Sequence, residues 1–118
     1  MRQAKYLLSS RESRVLVRDA IVNVCEFRGW VLYALHVRTS HVHGIVDAAT
    51  SPSRILNDWK AYATRSLGDP GRNHWTHGGS TRRILTPEGL TRAMHYVLYS
   101  QGEQLQTYSS DPRLVPSP

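Results

Sequence analysis

Residues 30–47 read WVLYALHVRTSHVHGIVD, and the fold turns on them. Two apolar-rich runs, 30–37 and 41–47, flank the polar triplet Arg38-Thr39-Ser40. Runs of this length, rich in branched and aromatic side chains, form strands, and a short polar break between them folds back as a hairpin. Side chains two apart on a strand share a face, so His41 and His43 project together while Val42 points the other way. Two neutral imidazoles side by side are a bidentate platform for a divalent ion. The chain has six histidines, however, and by spacing alone an ordinary exposed pair is the commoner outcome.

Upstream of the hairpin, Val17, Ala20, Ile21, Val24 and Cys25 recur at helical spacing across 11–28. Ser9 and Ser10 offer an N-cap and Gly29 a stop. A short strand is expected over 3–8. Downstream, Ser51-Pro52-Ser53 opens a second helix with the buried stripe Ile55, Trp59, Ala63 and Leu67. A glycine- and proline-bearing turn follows at 67–71, a short strand is expected over 81–85, and Thr86-Pro87-Glu88 starts a third helix. Its apolar stripe is Leu90, Ala93, Met94 and Val97, with Gly102 as the expected end. Beyond 104 the chain is polar and proline-bearing and reads as a tail, either loose or ordered on contact. The order strand, helix, strand, strand, helix, strand, helix predicts an α+β sandwich of the ferredoxin-like, split βαβ type. An antiparallel sheet would carry its helices on one face. The expected division is one domain over 1–104 and a tail over 105–118.

The chain has 118 residues, enough for one core. Fifteen Lys and Arg against nine Asp and Glu give a net charge of +6, and the pI is near 10.0. Such a balance favours a polyanionic partner, and without a basic amphipathic helix nucleic acid is preferred over a membrane surface. The single cysteine, Cys25, excludes an internal disulfide framework and paired-cysteine zinc patterns, and it reads as a buried apolar residue. No apolar run approaches membrane-spanning length and no secretory signal opens the chain, so a soluble, cytoplasmic protein is expected.

Two further regions carry chemistry. The third helix holds His95, Tyr96, Tyr99, Ser100 and Gln101 near its end; at about 100° per residue Tyr96 shares a face with Ser100, and Tyr99 with His95. A helical tyrosine is usually a core aromatic with its hydroxyl at the rim, but it can be a nucleophile where the phenolate and the leaving oxygen are stabilised, the second by a metal-bound phosphate. The segment 72–83, RNHWTHGGSTRR, mixes arginines that fit phosphate with Trp75, a ring able to stack on a base. A surface loop anchored by a partly buried Trp75 is an equal reading. Lys60 and Arg65 add positive charge to the second helix.

Taken in order, these pieces resemble the HUH single-tyrosine transposases, both the insertion-sequence and the REP-associated enzymes. VRTSHVHGIV is similar to the family's strand with a histidine-hydrophobic-histidine motif, and PSRILNDWKAYATRSL to the helix after it. HWTHGGSTRRILTPEGLTRAMHYVLYSQG resembles the tryptophan-glycine-serine-arginine stretch that runs into the tyrosine helix. The likeness spans roughly residues 4 to 103. It implies that His41 and His43 bind Mg(2+) or Mn(2+), that Tyr96 is the nucleophile, and that Gln101 is the third ligand. The family's polar ligand commonly follows the tyrosine by four residues, where this chain has Ser100, so Ser100 or water is an alternative to Gln101, and Tyr99 is an alternative to Tyr96. It further implies a transposase acting on hairpin-bearing single-stranded DNA through a 5′-phosphotyrosine link, as a monomer or a homodimer. Lys60, Arg65, Trp75, Arg82 and Arg83 would contact that strand. The rival readings are a domesticated relative cutting palindromic genomic repeats, a passive single-strand-binding module and, more weakly, a metal-dependent hydrolase.

Overall fold

Ser10 opens the first helix: its Oγ accepts the Ser13 N–H at 3.1 Å, and Glu12 sets a carboxylate near the positive end of the helix axis. Helix α1 (Arg11–Arg28) buries the expected stripe of Val17, Ala20, Ile21, Val24 and Cys25 and stops where Gly29 turns left-handed at φ 74°. Burial also pushes the Cys25 thiol pKa up, so it stays protonated and packs as an apolar group. The computed structural model describes residues 8, 10–68, 75, 84, 86–99 and 105–111.

The hairpin forms as its sequence predicts. Strands β1 (Val31–Val37) and β2 (Val42–Asp47) pair antiparallel, and the Arg38 N–H donates to the His41 carbonyl at 2.8 Å across the Thr39-Ser40 turn. A bulge between Leu32 and Ala34 resets the alternation, so Leu32, Leu35 and Val37 come to share one face. On β2 their partners are Val46, Gly44 and Val42. Against this face lie α1 and α2 (Pro52–Ser66), the latter capped by Ser51 and burying Ile55, Trp59 and Ala63. Gly44 is what lets Trp59 sit so close: a Cβ there would lie 2.7 Å from the ring edge.

The opposite face carries Ala34 and His36 on β1, with Ile45 and His43 as their β2 partners. Helix α3 (Pro87–Tyr99) covers it, packing Met94, Val97 and Leu98 against Ala34, Tyr33 and Ile45. The α+β class with an antiparallel sheet therefore stands, but the helices divide between the two faces instead of sharing one. The physical reason lies in β1, where Ala34, Leu35, His36 and Val37 are all fully buried. A central strand with no polar face needs cover on both sides.

A third strand, β3 (Gln106–Ser109), pairs antiparallel with β1 and gives the order β2-β1-β3. This corrects the expected tail over 105–118, since at least 106–109 belongs to the sheet. The buried Arg14 of α1 ties it in, donating from Nε to Gln106 Oε1 at 2.5 Å and from Nη1 to the Leu8 carbonyl at 2.9 Å. The strands expected over 3–8 and 81–85 lie outside the described residues except for Leu8 and Ile84, neither of which is in a strand. The split βαβ half of the expected topology depends on the first of these. Among the described residues no helix is long and apolar enough to cross a membrane.

Candidate metal and nucleophile site

Strand alternation brings His41 and His43 to the α3 side of the sheet, with ring centroids 5.8 Å apart and planes inclined by only 15°. His41 is exposed, and its Nδ1 lies 2.9 Å from Ser40 Oγ. That contact engages Nδ1 and helps to orient the ring. His43 is half-buried. Burial, with nearby positive charge such as that of Arg38 adding to it, pushes its pKa down to about 4, so the imidazole is neutral at pH 7. A neutral imidazole has a lone pair to give a divalent ion, which a protonated ring lacks. The two imidazoles are thus donors of a type that can bind a divalent metal, carried on one face of the sheet.

Sequence reasoning overlooked His36, which the register sets directly across from His43. Its ring is fully buried; Nδ1 lies 3.0 Å from the Val97 carbonyl, and Nε2 accepts the Leu105 N–H at 3.0 Å. A donor at Nε2 leaves that nitrogen as the acceptor, so Nδ1 carries the proton and donates to Val97. Burial pushes the His36 pKa down as well, in keeping with a neutral ring. The only sign of this in the sequence is a histidine inside an otherwise apolar strand.

On α3, Tyr96 is 59% exposed and Tyr99 40% exposed, whereas Val97 and Leu98 between them are buried. The Tyr99 ring stacks on His95 at 5.6 Å, as their four-residue spacing predicts. Tyr96 is thus the more open of the two and lies beside Val97, the residue that His36 holds. Gln101 and its alternative Ser100 lie outside the described residues, as do Arg82 and Arg83. Among the described residues no group of three or more His, Cys, Asp or Glu is placed to hold a metal ion.

The expected base-stacking role of Trp75 is corrected. The ring is only 4% exposed, belongs to the core with α1 and α2, and donates from Nε1 to Thr64 Oγ1 at 3.0 Å. A ring enclosed this way has no face to offer a base; the anchored-loop reading applies. Lys60 and Arg65 ride on α2, across the sheet from the histidine pair. Partial burial pushes the Lys60 pKa down, and the Arg65 guanidinium lies 4.4 Å over the Tyr62 ring. His41 and His43 lie on the sheet face that α3 covers, with Tyr96 on the exposed side of that helix, whereas Lys60 and Arg65 belong to a helix on the other face. No protein-family model, curated protein or solved structure matches the chain.

Proposed function

We propose that this protein is a metal-dependent transesterase of single-stranded DNA, cutting and rejoining strands through Tyr96 in the manner of the HUH single-tyrosine transposases its sequence resembles. One observation carries the reading: the paired histidines and the helix with the exposed tyrosine occupy the same face of the sheet. His41 and His43 would hold Mg(2+) or Mn(2+), with Gln101, Ser100 or water as a further ligand. The bound ion would supply Lewis-acid polarisation of a phosphate oxygen.

The chain's own residues do the rest. Tyr96 Oη forms a bond to phosphorus as the bond from phosphorus to the 3′ oxygen breaks, and the phenolic proton ends on that oxygen. The products are a 5′-phosphotyrosine and a free 3′-hydroxyl. One phosphodiester replaces another, so the reverse attack reseals the strand with no energy source. A phenol with an ordinary pKa near 10 is a weak nucleophile at pH 7, so the site must activate it. His36 and the Met94-Val97-Leu98 packing hold the helix that presents it.

The test is covalent trapping. The full chain is incubated with Mn(2+) and a pool of single strands carrying a hairpin and randomised flanks. The wild type should form a denaturant-resistant adduct that retains a 3′-end label and releases a 5′-end label, and Tyr96→Phe should form none. No adduct with the wild type, or an undiminished one with Tyr96→Phe, overturns the proposal. Binding of strands without attachment would mark a passive binding module instead.

A further inference from the structure

His36 joins three elements. Its Nδ1–H donates to the Val97 carbonyl of α3, its Nε2 accepts the Leu105 N–H at the entry to β3, and its own backbone lies in β1 opposite His43. Val97 is in the last described turn of α3, and the sheet supplies its carbonyl with a partner. The helix end is thereby pinned in rotation as well as in distance. Tyr96 precedes Val97, and its direction is set once the Val97 carbonyl is fixed, at about 100° around the axis. Apolar packing of Met94, Val97 and Leu98 alone would tolerate slippage, because such contacts are not directional.

We propose that His36 is a positioning residue: by tying the Val97 carbonyl to the strand paired with His43, it fixes the orientation of Tyr96 relative to the histidine pair. The proposal rests on the transesterase reading for its chemistry and on the two hydrogen bonds for its geometry. It separates the two bonds by role. The bond to Val97 aims the tyrosine, while the bond to Leu105 anchors β3.

Two substitutions divide the clamp. In His36→Asn the side-chain amide nitrogen falls near the Nδ1 position and still donates to Val97, but nothing reaches Leu105. In His36→Gln the amide oxygen reaches the Nε2 position and accepts from Leu105, but the donor to Val97 is lost. His36→Leu removes both. Amide hydrogen exchange on the full chain should show the last turn of α3 loosened in the Gln and Leu variants and kept in Asn, with Leu105 the reverse for Asn and Gln. With the labelled hairpin pool and saturating Mn(2+), the maximal adduct rate should fall by about tenfold or more in Gln and Leu and by less than about threefold in Asn, at nearly constant half-saturating strand concentration. A merely structural histidine would make activity follow the fraction folded, measured by circular dichroism, with no preference for Asn over Gln. Equal protection of the α3 end in Asn and Gln, or equal adduct rates, overturns the proposal. Should Leu fail to fold, the Asn and Gln pair carries the comparison alone. A wild type that forms no adduct but shows the stated exchange pattern leaves His36 as the residue that orients Tyr96 and overturns the transesterase reading.

Discussion

Gly44→Ala tests the closest approach in the fold. The added Cβ would lie 2.7 Å from Trp59 Cη2, 3.0 Å from Cζ3 and 3.2 Å from Leu35 Cδ1. Carbon atoms rest at about 3.5–4.0 Å, so the worst contact is roughly 1 Å too short. Trp59 and Leu35 are both buried, and neither can move without disturbing α1, α2 or β1. Overpacking of this kind costs about 1–3 kcal/mol. Because φ at Gly44 is not positive, alanine suits the backbone and recovers about 0.4–1 kcal/mol by restricting the unfolded chain. The net loss is about 0–2.6 kcal/mol, at its upper end a sizeable share of the roughly 5–15 kcal/mol that holds a domain together.

Urea unfolding followed by circular dichroism reads this as a lower midpoint with an unchanged slope. Trp59→Phe removes the ring atoms that the new Cβ meets. The double variant should therefore lose less than the sum of the single ones, by about 0.5–2 kcal/mol. Gly29→Ala is the control: it meets nothing within 4 Å but sits at φ 74°, so its cost of about 1–2 kcal/mol should be independent of Trp59. Strict additivity of Gly44→Ala with Trp59→Phe would refute the packing argument.

Trp75→Ala should cost about 3–5 kcal/mol, as expected for a buried aromatic, while Thr64→Val, which removes the partner of the Trp75 Nε1–H, should cost about 1–3 kcal/mol; both are read by urea midpoint. Strand binding by the folded fraction of Trp75→Leu, measured by fluorescence polarisation, should stay within about threefold of the wild type, whereas loss of a stacking ring would cost about 1–3 kcal/mol per base; a loss of that size would restore the stacking role. His43 has a folded pKa of about 4 against 6.5 for an ordinary histidine, so between those values the unfolded chain binds the extra proton. Its contribution is thus fully present above about pH 6.5 and is lost as pH falls towards about 4. In metal-free buffer the wild type should lose more stability across that window than His43→Asn does, and equal slopes would show that the His43 pKa is not depressed.

Every element that announces itself by periodicity is where the sequence puts it: α1 by its five-residue stripe, α2 by Ser51 and Pro52, and the hairpin by its apolar runs around a polar turn. The histidine pair was legible for the same reason, because strand alternation is a local rule. What stayed hidden was decided by distant partners. Trp75 has the composition of a stacking ring, and its burial depends on Thr64 and on two helices already in place. The bulge at Tyr33 leaves no mark in the order of residues, yet it decides which side chains of β1 face α3.

Two misreadings, the one-sided sheet and the polar tail, share a cause. Read as VLYALHV, β1 has no polar face, and such a strand is buried on both sides. Burial on both sides places His36 in the interior, where a polar ring needs partners for each of its nitrogens. No neighbour in the strand supplies them; the donor and the acceptor come from Leu105 and Val97, 69 and 61 residues further on. That requirement argues for a helix end brought against the second face and for a following segment returned to the edge of β1, which are the positions of α3 and β3. The polarity of Gln106-Thr107-Tyr108-Ser109 is then no mark of a tail. It suits a short strand that is outermost among the described residues, with Thr107 beside His36 and Gln106 held by Arg14. A single buried histidine, taken seriously as a demand for two hydrogen bonds, carries more information about this topology than the apolar residues around it.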